Sequence, residues 1–429
     1  MRILILGSGG REHAMARALA TAEREPQVEL YCGPGNPGIA ELATILPLSL
    51  SDLPGVVAAA RHHQIDLVIP GPEKWLCAGI ADALAAADIA CCGPSAAAAQ
   101  LESSKAFTRL LTAPLGVPGP RFAIVRDPAQ LRQTLRDWDG VPVIKADSLA
   151  AGKGVFLPDD KAACLEVGSA LLAGALGSAG QTVVVEERLR GEEASLFYAC
   201  HGEHCIALPH ARDHKRLLDG DQGPNTGGMG AISPSPAITA EQERRVRADI
   251  VLPTLRELAR RGTPFVGFLF VGLMLCAGRP QLLEFNVRLG DPEAQAILPR
   301  LGPGEFLRLC QAATAGRLAD FALRLDEQPT CAIVLASAGY PDTPHAGEVI
   351  AIDPATPAWA KAWLLHSGTE QRGTELITAG GRVLTVVAQD ESAAAARRRA
   401  YCAADAVRFA GLQRRSDIGL SSGISQRCR

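Results

Sequence analysis

Residues 282–293, LLEFNVRLGDPE, set oxygen- and nitrogen-bearing side chains at alternate positions. In a strand, residues two apart share a face. Glu284, Asn286 and Arg288 would then point together, with Phe285, Val287 and Leu289 packed behind. A carboxylate and an amide oxygen suit magnesium, a hard cation that keeps water and substrate phosphates as its other ligands. Arg288 could hold another anion. The plainer alternative is the polar face of an edge strand. A second stretch, VIKADSLAAGKGVFL (143–157), carries Lys145 and Lys153 around a loop almost without side chains. It differs from a P-loop because Gly154 follows Lys153 where a hydroxyl should hold magnesium. Strand-like runs on either side make it a hairpin. A Gly/Ala flap over a triphosphate, with Lys145 on the preceding strand, accounts for the two lysines better than a bare surface turn.

Composition sharpens the choice. The chain has 429 residues, is 47% hydrophobic and carries a net charge of -3. That length suggests two to four domains, and the charge gives no reason to expect nucleic acid or an anionic membrane. No apolar run is long enough to span a bilayer. MRILILGSGGREH reads as a strand entering a turn and not as a signal peptide. Twelve scattered cysteines without a CxxC pair read as reduced thiols of a cytoplasmic protein. Only seven of 43 basic residues are lysine, and asparagine occurs only at 36, 225 and 286. Lysine is a compact point charge that arginine does not replace, so lysines inside Gly-rich motifs invite a specific role.

These groups need a scaffold. RILIL, VELYC, DLVIP and IACCG read as strands alternating with Ala-rich helices, which predicts a doubly wound parallel sheet over the first hundred residues. Ligands in such sheets lie beyond the carboxyl ends of the strands, where GSGGREH, GPGNPG and GPE fall. GSGGREH is only a partial dinucleotide fingerprint, because Glu12 stands at the third glycine position. A helix start with free N–H groups still favours an anion, and a tight strand-to-helix turn is the simpler reading. A second region begins near Ser103, with PRFAIV and TVVVEERL flanking the lysine hairpin and further strands to about Leu325. Residues 212–234, RDHKRLLDGDQGPNTGGMGAISP, form a long polar Gly-rich segment offering Asp213, Lys215 and Arg216; such loops are functional or disordered. After LRLDEQPT, the last hundred residues predict a small α+β domain. No Ser–His–Asp or Cys–His nucleophile stands out, and His13, His210, His214 and His366 read as structural.

With these motifs in order, the whole chain resembles the glycinamide ribonucleotide synthetases, ATP-grasp ligases also called phosphoribosylamine–glycine ligases. GSGGREHA, GPE, LESSKAFT, IKADSLAAGKGV, VVEERLRGEEAS, DHKR, GPNTGGMGA, EFNVRLGDPE, HSGT, GGRVL and RRSDIG carry the likeness. The resemblance implies three units: 1–102, an N-terminal α/β domain; 103–325, an ATP-grasp domain with a mobile lid at about 122–190; and 326–429. It implies that Lys105 and Lys145 hold ATP phosphates. The flap Ala146–Gly154, including Ser148, Gly152, Lys153 and Gly154, closes over them. Glu186, Glu187 and Leu189 meet adenine, Glu193 lies near the ribose, and Glu284 and Asn286 bind magnesium (or manganese). Gly9, Gly10, Glu73, Asp213, Lys215, Arg288 and Asp291 receive glycine and 5-phosphoribosylamine, with Asp213, Lys215 and Arg288 nearest the chemistry. The implied reaction converts ATP, glycine and 5-phosphoribosylamine to ADP, phosphate and glycinamide ribonucleotide through glycyl phosphate, in purine biosynthesis, by a monomer. Ser148 departs from the family's D-G-L loop and would be strained if that position has φ > 0; Trp75, Leu289 and Ala294 also depart. These leave two alternatives: a paralogue joining another small carboxylate to an amine, and a nucleotide-binding protein without turnover.

Overall fold

A computed structural model describes residues 1–20, 28–49, 51–149, 154–175 and 181–420. The first strands are continuous apolar runs, as strands covered on both faces must be. They are β1 (Arg2–Gly7), β2 (Glu29–Pro34), β3 (Thr44–Ile45), β4 (Leu67–Pro70) and β5 (Ala90–Cys91), all parallel in the order β3-β2-β1-β4-β5. The order reverses at β1, so its carboxyl end, Gly7 and the Gly9–Gly10 turn, lies at the switch point. Helix Gly10–Ala20 starts there.

The lysine hairpin belongs to a small antiparallel sheet. Its strands β6 (Phe122–Val125), β7 (Val143–Ala146), β8 (Val155–Phe156) and β9 (Val183–Glu186) run in the order β6-β9-β7-β8. Helices Pro128–Arg136 and Lys161–Leu172 cover it, each opened by an aspartate, Asp127 and Asp160, whose carboxylate accepts first-turn N–H groups. The sheet and helices enclose their own apolar cluster, including Leu131, Trp138, Ile144 and Val183.

A second antiparallel sheet supplies the opposite wall: β10 (Glu192–His201), β11 (His204–Ala207), β16 (Val266–Cys276) and β17 (Arg279–Asn286), in the order β11-β10-β16-β17. One face packs into the core of the parallel sheet, where Leu4, Leu6 and Val68 join Tyr198, Leu269 and Phe285.

The polar segment 212–234 is neither disordered nor a plain loop. It folds into β12 (Arg212–Asp213), β13 (Arg216–Leu218), β14 (Gln222–Asn225) and β15 (Gly230–Ser233). Strands of two to four residues are too short to display alternation, which is why the pattern did not reveal them. β12 and β15 join β18 (Thr330–Ala336), β20 (Ala362–His366) and β23 (Arg382–Gln389) in one sheet, ordered β12-β15-β18-β23-β20. Between these strands come β19 (Ala351–Ile352) and the hairpin β21 (Thr369–Arg372)–β22 (Glu375–Thr378). Helix Ala393–Ala404 buries its alanines on this sheet.

Candidate active site

Lys145 lies on β7, buried, with its Nζ 2.6 Å from Glu186 Oε2. Arg109, on helix Lys105–Thr112, donates to both oxygens of Glu186, Nε to Oε1 at 2.7 Å and Nη2 to Oε2 at 3.1 Å, and Nη1 reaches the Leu282 carbonyl at 3.0 Å. Burial opposes charge on Glu186, but Lys145 and Arg109 outweigh it and hold the carboxyl below its ordinary range. The Glu186 side chain thus fixes Lys145. Glu187 is exposed and Leu189 half-buried on the following segment. Lys105 opens its helix and donates from Nζ to the Ser148 carbonyl at 3.2 Å. Burial lowers its pKa against the pull of Glu284. Asp147 Oδ1 accepts from the Ala106 N–H at 3.0 Å and the Ser104 hydroxyl at 2.9 Å, which ties the flap's root to the helix that starts with Lys105.

Glu284 and Asn286 stand on one face of β17 with Phe285 buried between them, as the alternation predicts. Glycine at 272 lies across from Glu284, where a Cβ would come within 3.1 Å of Glu284 Cγ. Asn286 donates its amide to the Phe285 carbonyl at 2.8 Å, which leaves its oxygen free. Glu284 has no hydrogen-bond or ion-pair partner among the described residues. Burial would raise its pKa, but Lys215, Lys145, Lys105 and Arg288 hold it down. An ionised carboxylate and an amide oxygen, with other positions open, fit a divalent cation that arrives with water and phosphate oxygens. Among the described residues no group of three or more His, Cys, Asp or Glu has metal-holding geometry, so such an ion would depend on oxygens from its ligand.

Arg288 corrects one expectation. β17 ends at Asn286, so Arg288 sits in the bend beyond the strand. Its guanidinium is engaged: Nη2 lies 2.9 Å from Glu102 Oε1 and Nε 3.4 Å from Glu73 Oε2. Glu102 also accepts the Val287 N–H at 2.7 Å. Burial pushes Glu102 up to about 7 from 4.5, with the Arg288 charge opposing. In the unfolded chain this proton leaves near pH 4.5. The stabilisation from the protonated form is therefore complete below that pH and lost as pH rises through about 7. Glu102→Gln should remove this slope: chemical denaturation at pH 4.5 and pH 7 should show a smaller loss of stability with rising pH than in the wild type. Parallel curves would reject the assignment.

Gly9 and Gly10 lie at the carboxyl edge of β1, but the protein itself supplies the carboxylate there. Glu12 folds back, accepts the Gly9 N–H at 2.6 Å and meets Arg11 Nε at 2.6 Å. A Cβ on Gly7 would fall 2.5 Å from Glu12 Cγ, and one on Gly71 only 1.9 Å from Glu12 Oε1. The glycines of two loops therefore clear room for Glu12, and the Gly9 amide is not free for an anion. A Cβ on Gly9 would lie 3.6 Å from Asp291 Oδ2, which brings Asp291 to this turn. Asp291 is held by Arg382 at 2.9 Å and Gln295 at 2.6 Å.

Asp213, half-buried on β12, feels the charge of the buried Glu293. Burial and the charge of Glu293 push Asp213 well up, and burial raises Glu293 as well. Oδ1 of Asp213 has no hydrogen-bond partner among the described residues. Lys215 bonds Glu193 Oε2 at 3.0 Å, which links the start of β10 to this group. The pair can hold a proton at pH values where exposed carboxylates are ionised. The histidines are structural as read: the His366 N–H donates to His13 Nδ1 at 2.8 Å, and burial lowers His13 to about 3 and His366 to about 4.

Gly152 and Lys153 lie outside the described residues; Gly154 begins again at the far side of the hairpin. The described non-glycine residues with positive φ are Gln64, Asp88, Asp221 and Ala277, so Ser148 is not in the left-handed region and the expected strain is absent. Its buried hydroxyl has no hydrogen-bond partner among the described residues. Trp75 is 0% exposed in the core beneath the parallel sheet, and its indole N–H has no partner among the described residues. It does not shape a substrate surface. Trp75→Phe should cost about 1–2 kcal/mol of stability and leave every KM unchanged, as steady-state kinetics would check. Sequence reasoning missed Glu12, Glu102, Arg109, Glu293 and Arg382. Glu12 at the place of a glycine was the one visible signal; the others become site residues only through tertiary contacts.

Lysines from two walls around a carboxylate that has no partner among the described residues and a neighbouring amide oxygen, beside a parallel sheet, define a protein of the ATP-grasp class. Residues 103–294 match the family model "Phosphoribosylglycinamide synthetase, ATP-grasp (A) domain", 1–102 its N domain and 330–421 its C domain. The chain belongs to the phosphoribosylglycinamide synthetase family. It is 45% identical to a phosphoribosylamine–glycine ligase of Rhizobium meliloti (strain 1021), over 98% of each chain. The crystal structure of phosphoribosylamine–glycine ligase from Thermotoga maritima superimposes with a TM-score of 0.86 at 33% identity, covering 97% of this chain and all of that one. The biotin carboxylase domain of a Hydrogenobacter thermophilus 2-oxoglutarate carboxylase shares the fold, with a TM-score of 0.74 at 14% identity over 96% of this chain and 91% of that one.

Proposed function

We propose that this protein joins glycine to 5-phosphoribosylamine at the expense of ATP, giving glycinamide ribonucleotide, ADP and phosphate. The observation that carries the reading is Glu284, a carboxylate held ionised among Lys105, Lys145, Lys215 and Arg288 and without a hydrogen-bond or ion-pair partner among the described residues. Lys105 and Lys145 neutralise the phosphates. The flap 146–154, with Ser148, Gly152, Lys153 and Gly154, covers them, and the segment through Glu186, Glu187 and Leu189 borders the base, with Glu193 toward the ribose. Glu284 and Asn286 would hold magnesium (or manganese), which would supply charge neutralisation at the transferring phosphoryl group.

The carboxylate of glycine is a poor electrophile until it takes the γ-phosphoryl group, and the amine then attacks the glycyl phosphate. No protein nucleophile is required. Lys215 and Arg288 steady negative charge as it moves from phosphate to carboxyl, and the Asp213–Glu293 pair exchanges a proton with the attacking amine. Gly9, Gly10, Glu73 and Asp291 border the sugar and glycine. Water excluded beneath the flap spares the acyl phosphate. The reading extends to three units, 1–102, 103–325 and 326–429, in a cytoplasmic monomer. Among the described residues no helix is long and apolar enough to cross a membrane.

The test is phosphate release from ATP and magnesium with glycine and freshly prepared phosphoribosylamine, each alone and together. Release only with both, glycine far ahead of alanine and serine, is the expected result. Release with another carboxylate would move the protein to a paralogue, and ATP binding without release to a non-catalytic homologue.

A further inference from the structure

The C-terminal sheet carries part of the ATP-grasp site. β12, which bears Asp213, pairs with β15, and β15 pairs with β18 through Ala231 and Ala332. The next strand in that sheet, β23, begins with Arg382. Its Nη1 donates to the Asp291 carbonyl at 2.6 Å and to the Gly227 carbonyl at 2.7 Å, and Nη2 meets Asp291 Oδ2 at 2.9 Å. Tyr340, from the same C-terminal unit, accepts the Gly227 N–H on its hydroxyl at 2.9 Å. Gly228 has φ +113, and a Cβ there would fall 2.7 Å from Asp213 Oδ1 and 2.3 Å from Pro292 Cδ. The turn 226–228 is therefore wedged between Asp213 and the Asp291–Pro292 corner, and one guanidinium ties the turn to that corner. A second arginine fixes the neighbouring hairpin: Arg415, buried, donates to Asp221 at 2.7 Å and to the Arg216 carbonyl at 3.2 Å.

We infer that Arg382 is a positioning residue for the acceptor half of the active site. It sets Asp291 and the 226–228 turn, and through the turn Asp213, for the amine substrate and glycine, and it does not act on the nucleotide. This rests on the ligase reading above. Its hydrogen bonds run to Asp291 and Gly227, whereas Glu186 is held by Arg109 and Lys145, and Asp147 ties the end of β7 to the helix that starts at Lys105. The planar fork is essential, because a lysine offers one point charge and cannot serve two carbonyls and a carboxylate in fixed directions.

The experiment compares wild type, Arg382→Lys, Arg382→Ala and Tyr340→Phe in phosphate release, varying ATP, glycine and phosphoribosylamine separately. The expected result for both Arg382 variants is a rise of about tenfold or more in KM for phosphoribosylamine, glycine or both, with KM for ATP within about twofold of wild type. Tyr340→Phe, which deletes a single hydroxyl, should shift the same constants less and in the same direction. If Arg382→Ala fails to fold, the lysine and Tyr340 variants carry the test. Unchanged constants, or an equal rise for ATP, overturns the inference. A wild type that needs neither glycine nor phosphoribosylamine overturns the ligase reading itself, and the two failures are thereby distinct.

Discussion

Glu284→Ala should leave the protein folded and reduce magnesium-dependent turnover by about 10²–10³-fold. The carboxylate makes no hydrogen bond or ion pair within the described protein, so its removal breaks no internal contact. What changes is the field: Lys105, Lys145, Lys215 and Arg288 lose the negative group that they surround. Metal affinity should fall with the rate. Titrating magnesium, or manganese as a spectroscopic probe, against both proteins in the presence of ATP separates the two effects. Turnover near that of wild type would remove Glu284 from the metal site. A large drop in unfolding midpoint would assign it a structural role instead.

Glu186→Ala has the opposite character. It strands Lys145 and Arg109 in a buried pocket, and leaving a buried charge uncompensated costs about 3–5 kcal/mol. Stability and nucleotide use should fall together, since Lys145 is aimed by this carboxylate. Glu186→Gln keeps an acceptor for Arg109 and should recover part of the stability but little of the ATP affinity. Denaturant unfolding and KM for ATP, measured on both variants, check this. An unchanged KM for ATP in a folded Gln variant would show that Lys145 needs no such guide.

The contrast between these two glutamates marks what the sequence makes legible. Glu284 and Asn286 were readable because β17 alternates polar and apolar side chains, and the period of two reports the face directly. The parallel sheet and the lysine hairpin were readable from apolar runs broken by glycines. Scarcity of lysine and asparagine was a useful but mixed signal. Lys105, Lys145 and Lys215 do converge near Glu284, whereas Lys361 only pairs with Asp390. Asn36 caps a helix through the Ile39 N–H and bridges the Ser8 and His366 carbonyls. Arg109 and Arg382 were hidden for the converse reason: in an arginine-rich chain one more arginine carries no information. Their partners lie 77 and 91 residues away, a separation no local pattern encodes. Ser148 shows a family expectation failing on geometry, because a departure from glycine is harmless where the backbone does not visit the left-handed region.

The sheet shared by residues 212–233 and the C-terminal strands has a consequence for how this enzyme could be taken apart. Cutting the chain between the second and third units would tear β15 from β18 and bare a row of backbone donors and acceptors on each piece. A separately made C-terminal fragment should be prone to self-association, and the remainder should keep the short β12–β15 pair that carries Asp213 without the β18 strand that supports it. Adding the two fragments together should restore activity, since each offers the edge the other lacks. The same seam would resist modular recombination: a foreign C-terminal unit would have to bring a matching strand edge and an arginine at the head of the strand beside it before the catalytic region could use it.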